Sequence, residues 1–325
     1  DYRFDYDEAQ KVIETKEGTL SKEILEIHHL AEILRQKRFK MGALNFERPE
    51  MKVRVDETGK PIEVFEKISK EANWLIEEFM LLANRRVAQF IGKTKGGAKA
   101  KTFVYRIHED PNPEKITALR KFVHLFGYNL PGGDAPKEAK KGKAKESKVV
   151  EPKGLSKEGK GLAGAINTLL GKVKGNPEEN AIQMMALRAM SRARYSTDNY
   201  GHYGLAFDYY THFTSPIRRY PDMMVHRLLS MYLEGASSQN KTEYEGMCKY
   251  ASEREQIATD AERASIKYKL VEFMQDKVGK IYDGSVSGLT EWGMYVEIEP
   301  TKIEGMVPLR EIRGDYYTFD EESYS

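Results

Sequence analysis

The sequence predicts an α+β protein in which helices flank a mixed sheet, followed by a smaller and incomplete β-barrel. Three observations carry this reading. Apolar residues recur at helical spacing in several segments before residue 277. Short alternating strands punctuated by glycine take over from Val278. Residues 131–160 consist almost wholly of Lys, Gly, Ala, Glu, Ser and Pro, so they cannot bury a core. The expected organisation is one domain over residues 1–277, interrupted by a mobile basic loop at 131–160, and a second over 278–325.

Taken in order, the chain opens with a short strand-like stretch. A helix over Tyr6–Glu17 follows, ended at Gly18, with Asp7 placed where the helix dipole favours an acid. A second helix spans Ser21–Arg38, with Leu25, His29 and Ile33 on one face. Alternation over Ala43–Phe46 and Met51–Val55, broken at Gly59-Lys60-Pro61, predicts a β-hairpin. Residues 67–91 form a helix striped by Leu75, Phe79 and Leu82, and Glu77 and Asn84 share another face. A strand at Thr102–Ile107 precedes a helix that begins after Pro113, where proline suits the first turn. Further helices are expected at Asn180–Arg194, Asp222–Leu233 and, highly charged, Lys241–Gln275.

Composition excludes several classes. Lys and Arg number 52 against 50 Asp and Glu, a net charge of +2, so only local clustering could argue for a nucleic-acid partner. The single cysteine, Cys248, rules out internal disulfides and a cysteine zinc site, and suits a reducing cytoplasm. No apolar run reaches membrane-spanning length, because Trp74–Ala83 is interrupted by Glu77 and Glu78. The first residues, DYRFDYDEAQ, have neither signal nor transit character.

The stretch His212–Arg227, HFTSPIRRYPDMMVHR, concentrates the chemistry. A Thr-Ser-Pro turn delivers Arg218, Arg219 and the aromatic Tyr220, and Pro221 then starts a helix. Two guanidinium groups at a helix N-terminus make a phosphate site, although two solvated arginines at a helix start would read the same way. In the last piece, Gly279, Gly284, Gly293 and Gly305 separate the strands, and Trp292 and Tyr295 flank Gly293. Such rings on a small OB-type barrel are stacking platforms for unpaired bases, or else core aromatics. A bulge at Gly293 would decide which way each ring points.

Gly201–Leu229, GHYGLAFDYYTHFTSPIRRYPDMMVHRLL, closely resembles the signature of the ribonuclease II/ribonuclease R family, which degrades RNA from its 3′ end. Tyr6–Gln10 and Leu75–Ala88 are similar to that family as well. The segment from Val278 resembles the OB-fold that follows its catalytic domain. The resemblance implies that residues 1–277 are the C-terminal part of the catalytic domain. It also assigns roles at matching positions. Arg218 is the catalytic arginine, binding the scissile phosphate and stabilising charge in the transition state. Thr214, Ser215, Arg219 and Tyr220 are grouped with it as RNA-binding residues. Phe46 stacks on the terminal bases, and Glu77 and Glu262 are carboxylates at the 3′-terminal nucleotide, where a 2′-OH contact would favour RNA over DNA. Trp292 and Tyr295 are the RNA-facing rings of the barrel. From the residues alone, Glu77 is equally a surface carboxylate like its neighbour Glu78, Phe46 a core residue, and Glu262 one of many exposed helix partners. His28, His29 and His226 read as helix residues without a catalytic part, while His202 and His212 stay open.

One departure matters. The family works with magnesium held by aspartates spaced D-x5-D-x-D-D, and this chain has no such run. Asp1, Asp5 and Asp7 lie close together but with the wrong spacing. The expectation is therefore part of a longer, processive 3′→5′ exoribonuclease, inactive by itself, with magnesium bound outside this piece. It would be monomeric and cytoplasmic, take single-stranded RNA, and release nucleoside 5′-monophosphates. A non-catalytic RNA-binding protein on the same scaffold is the alternative. An OB-fold translation factor would explain the last piece but leave the Arg218 motif without a role.

Overall fold

Asp5 starts the first helix by accepting the Glu8 N–H at 2.7 Å, while the Glu8 carboxylate accepts the Asp5 N–H at 3.0 Å. This reciprocal capping box satisfies two otherwise orphaned backbone donors and fixes α1 at Tyr6–Thr15. Asp5 is thus a cap, which accounts for one of the three clustered aspartates. The computed structural model of the chain describes residues 2–46, 50–94, 99–131, 157–312 and 317–319. Helices α2 (Ser21–Lys40) and α3 (Glu71–Gly92) pack with α1 around Val12, Ile13, Ile24, Ala31, Ala72 and Leu75.

Between α2 and α3 lies a two-stranded antiparallel hairpin, β1 (Glu50–Val55) and β2 (Pro61–Lys67). Its turn is closed by Asp56, whose Oδ1 accepts the N–H groups of Thr58 (2.9 Å) and Lys60 (3.0 Å). The hairpin was expected to use Ala43–Phe46 as its second strand. That stretch is irregular, and Pro61–Lys67 takes the place, since proline is tolerated as the first residue of a strand.

The expected mixed sheet is small. β3 (Tyr105–Ile107) pairs antiparallel with β4 (Arg194–Ser196), and a parallel bridge joins His108 to His202. The predicted strand from Thr102 is thus shorter than its apolar run. β4 occupies the end of what the sequence suggested was helix up to Arg194. This strand pair runs through the main core, where Phe103, Val104 and Ile107 meet Ala88 and Ile91 of α3. The same core takes Val225 and Leu228 of a later helix, and Cys248.

A second core is all helical and comprises α4 (Pro113–Leu125), α5 (Lys157–Val173) and α6 (Glu179–Ala189). The expected loop at 131–160 falls largely on residues 132–156, outside the described residues, and its last four residues already belong to α5. α7 (Tyr220–Leu233) and the long α8 (Lys241–Gln275) complete the helical part. Lys269 of α8 donates to the Gly59 carbonyl at 2.6 Å, tying the hairpin tip to that helix.

Beyond α8 come three antiparallel strands in meander order, β5 (Gly284–Thr290), β6 (Gly293–Ile298) and β7 (Ile303–Pro308). Gly293 is required here, because a Cβ would fall on the Val307 carbonyl oxygen of the adjacent strand. The bulge lies between Val286 and Gly288, and not at Gly293. No helix among the described residues is long and apolar enough to cross a membrane.

Candidate nucleic-acid interface

The segment from Tyr210 to Phe213 is strapped from both sides before the arginines are reached. Arg106 donates its N–H to the Tyr210 carbonyl at 3.0 Å, and the Thr211 hydroxyl donates to the Val104 carbonyl at 2.6 Å. On the other side, buried Asn84 accepts the Phe213 N–H at 3.0 Å and donates to the Tyr210 hydroxyl at 3.2 Å. His226 completes the strap: its Nε2 donates to the Phe213 carbonyl at 2.8 Å, and its ring stacks on Phe213 at 4.0 Å. A loop with so many fixed backbone groups holds its tip in one geometry, as a binding site on a rigid scaffold requires.

At the tip, the Ser215 carbonyl accepts the N–H groups of Arg218 (3.3 Å) and Arg219 (3.0 Å), and α7 begins. The two arginines then part. Asp222, fully buried, takes the Ser215 N–H at 2.7 Å and the Arg219 guanidinium at 2.8 Å on the same Oδ2. Arg219 is therefore turned inward and neutralised, whereas Arg218 is exposed and makes no ion pair with the described residues. The expected guanidinium pair is in effect one exposed guanidinium with a structural neighbour. Behind it, Thr214 Oγ1, Arg219 Nε and Asp222 Oδ1 are buried without a protein partner, the kind of group that takes up an ordered water.

Arg218, Arg219 and Tyr220 face α8 across a cavity of about 880 Å³ that also includes Glu262 and Tyr250. Tyr220 and Tyr250 are both more than half exposed. The pKa of Lys52 on the hairpin is raised chiefly by its hydrogen bond to Glu50, with the Glu262 charge adding to it. Glu77 lies in a second, smaller cavity of about 220 Å³ with Tyr6 and Asn84, and Arg219 lines both. The structure thus gathers Arg218, Arg219, Tyr220, Glu262 and, next door, Glu77, with Thr214 and Ser215 forming the loop beneath. Phe46 lines neither cavity; it is half-buried against the α4–α6 core. Trp292 sits exposed in the β5–β6 turn, and Tyr295 is half-buried on β6 opposite Gly288 and Met306.

Three participants escaped the sequence reading. Asp222 follows RRYP directly, so an acid three residues after an arginine at a helix start was the available signal. Tyr250 was hidden as one aromatic on a charged helix, where the Arg254 guanidinium lies 5.3 Å from its ring. Arg38 lies at the end of the helix expected from the sequence, yet it is buried and pairs with Glu78 of α3, while also reaching Glu77 at 3.3 Å. Glu78 is accordingly buried, contrary to the surface position expected of it.

The histidines left open are part of the scaffold. His202 is half-buried and edge-on to Tyr210 (5.2 Å) and His108 (5.1 Å), and desolvation drives its pKa well below the ordinary value, with His108 adding to the effect. His212 lies 2.8 Å from the Tyr195 hydroxyl, and burial, then Arg219, Arg106 and Arg218, depress it to about 2. Both are neutral at physiological pH, so neither adds charge to the Arg218 loop. Because unfolding restores His212 to an ordinary pKa of 6.5, the unfolded chain binds the extra proton between about 2 and 6.5. Stability should be level above pH 6.5 and fall below it, by up to about 1.4 kcal/mol per pH unit for each such histidine. Urea titrations at pH 7.5 and 5.0 check this, and His212→Asn should shrink the difference.

Among the described residues no group of three His, Cys, Asp or Glu side chains is placed to hold a metal ion. The cavity is lined by Arg218, Arg219 and Arg254, by Tyr220 and Tyr250, and by the carboxylates Glu243, Glu255 and Glu262, with Glu77 next door, an arrangement that suits a phosphate-linked, base-bearing chain.

The chain belongs to the RNB domain family, whose pattern matches residues 1–235, and an S1 RNA binding domain matches residues 275–324. Its curated relatives include ribonuclease R 1 of Lactococcus lactis, 36% identical over 98% of this chain and 37% of the relative. Ribonuclease R of Aquifex aeolicus is 34% identical over 99% of this chain and 43% of its own length. The chain therefore spans about two fifths of the length of these relatives. Among solved structures, Mycoplasma genitalium RNase R in complex with ribose methylated single-stranded RNA superposes with a TM-score of 0.83 at 25% identity, over 99% of this chain and 48% of that one. Yeast Ssd1, a pseudonuclease, shares the fold at a TM-score of 0.66 and 19% identity, over 99% of this chain and 37% of that one.

Proposed function

We propose that the chain is the phosphate-binding part of a processive 3′→5′ exoribonuclease of the ribonuclease R class, and that it grips the 3′ end of single-stranded RNA in the Arg218–Glu262 cavity. Residues 1–277 supply the catalytic-domain portion and residues 278–325 the start of an S1-type RNA-binding portion, with Trp292 as its free ring. The observation that carries the reading is the exposed Arg218 guanidinium, fixed by a strapped loop and flanked by the exposed rings of Tyr220 and Tyr250.

Arg218 binds the phosphate to be cleaved and stabilises the charge that builds on it. The tyrosines stack on terminal bases without reading sequence, as a processive enzyme needs. Glu262 accepts a ribose hydroxyl, and Glu77 bounds the neighbouring cavity. Nucleoside 5′-monophosphates leave as product. Magnesium, which supplies the attacking hydroxide and neutralises phosphate charge in this class, would be held by residues other than those described here. The whole protein works as a cytoplasmic monomer, and the buried lone cysteine suits that compartment.

The test is a binding titration of the chain with two oligonucleotides that differ only in the 3′-terminal sugar. Ribose at the terminus should bind about tenfold tighter than 2′-deoxyribose, the worth of one hydrogen bond to a carboxylate. Glu262→Ala should erase that difference. Equal binding of both oligonucleotides to the native chain would exclude Glu262 as the ribose acceptor. A non-catalytic RNA-binding role on the same scaffold is the second reading. It predicts no hydrolysis by the complete protein in the presence of magnesium.

A further inference from the structure

The Arg218 cavity does not end at α8. It meets a second cavity of about 770 Å³ at Tyr195 and Gly246, which line both. That volume lies within the range of about 300–1,000 Å³ that small-ligand sites occupy. The second cavity runs between β4 and the first four turns of α8. Four cations line it: Arg192, Arg194, Lys241 and Lys249.

Its electrostatics leave positive charge available. Lys241 is taken by Asp198 at 2.6 Å, and Arg194 is held loosely by Glu109 at 3.4 Å. Arg192 bonds only the neutral Gln256 at 2.8 Å, and Lys249 forms no ion pair with the described residues. Of the two carboxylates in the wall, Glu245 is turned toward the loop after β4, where it accepts the Thr197 N–H (2.6 Å) and hydroxyl (2.5 Å). Only Glu253 remains to oppose Arg192 and Lys249.

Gly246 marks the passage. A glycine inside a helix costs about 1 kcal/mol relative to alanine, and packing does not require this one, since nothing lies within 4 Å of where its Cβ would be. The missing side chain leaves the wall between the two cavities low. Order along α8 gives the passage a direction. The helix leads at Gln275 to the S1-matching region, so RNA arriving from that side meets Glu262 first. Gly246 and the basic cavity lie beyond, Gly246 being about 24 Å further along the axis. The chemistry also changes along the path. The first cavity has the exposed rings of Tyr220 and Tyr250, whereas the one aromatic in the second, Tyr195, is buried. A single strand would want stacking surfaces there. A small anion released from the strand needs only cations.

We propose that this cavity is a site for the phosphate of a nucleoside 5′-monophosphate, reached from the Arg218 cavity past Gly246, and that it serves as the way out for product. The assignment rests on the exonuclease reading above, but its test does not. Adenosine 5′-monophosphate and adenosine are titrated separately into the chain by calorimetry, with the native protein and with Lys249→Glu/Arg192→Glu. The native chain should bind the monophosphate at least about tenfold tighter than the nucleoside, as a charge-assisted contact implies. The double variant should lose about tenfold in monophosphate affinity. It should keep the affinity of the native chain for single-stranded RNA, which also shows that it is folded. Three results would overturn the site: no binding of the monophosphate, equal binding of adenosine, or full monophosphate affinity in the double variant. If RNA fails to bind the native chain while the monophosphate still binds through Lys249 and Arg192, the anion site stands and the exonuclease reading falls.

Discussion

Arg218→Ala, made in a polypeptide that carries the whole catalytic domain, should lower turnover of single-stranded RNA by at least about 100-fold, while RNA affinity changes by no more than about threefold. The magnitude is that of removing one fixed donor from a developing oxyanion. The split between turnover and affinity follows from where the side chain sits. Arg218 is exposed and unpaired, so its removal strands no buried charge, and the loop that carries it is fixed by Asp222, Asn84 and His226. Ground-state grip comes from the rings and carboxylates around it, which the substitution leaves in place. Single-turnover kinetics together with a binding isotherm separate the two quantities. Normal turnover with a large loss of affinity would make Arg218 a docking contact.

The largest effect on stability is expected at Glu78. Its carboxylate is buried and takes both Nε and Nη2 of Arg38, which is itself buried. Glu78→Ala should cost about 3–5 kcal/mol in a urea titration, because the Arg38 charge is left in the α2–α3 interface without its partner. Glu77→Ala removes only a longer contact at a half-exposed position and should cost well under 1 kcal/mol, as for other partly solvated ion pairs. Replacing both partners of the buried pair, Arg38→Met with Glu78→Leu, should recover most of the loss. Two neighbouring glutamates therefore divide the work: Glu78 holds two helices together, while the half-exposed Glu77 keeps a longer contact to Arg38 and lines a cavity.

That division was not legible in the sequence, where Glu77 and Glu78 carry the same chemistry on one helix. What tells them apart is Arg38, forty positions away and brought near only by the packing of α2 on α3. Local signals did better. α8 could be read to its ends at Lys241 and Gln275, because Asn240 caps it and no Gly-Pro break follows. α5 was missed because Gly161, Gly164 and Gly171 lower its helix propensity, although Ala163, Ile166, Leu169, Leu170 and Val173 are spaced for one buried face. At the site, the motif around Arg218 was plain, and the structure brings Tyr220 and Glu262 to it. The different fates of Arg218 and Arg219 depend on the buried Asp222. The absence of Phe46 from the cavity depends on the α4–α6 core, which only the folded chain assembles.

On the proposed function, the 3′ terminus of RNA occupies the cavity between the Arg218 loop and α8. Photocrosslinking the chain to single-stranded RNA with a 3′-terminal 4-thiouridine, followed by peptide mapping, tests it directly. Adducts are expected within Arg218–Tyr220 and at Tyr250, competed away by unlabelled RNA with a free 3′ end. Adducts confined to Trp292 and the β5–β7 sheet, with none on the loop or α8, would contradict it.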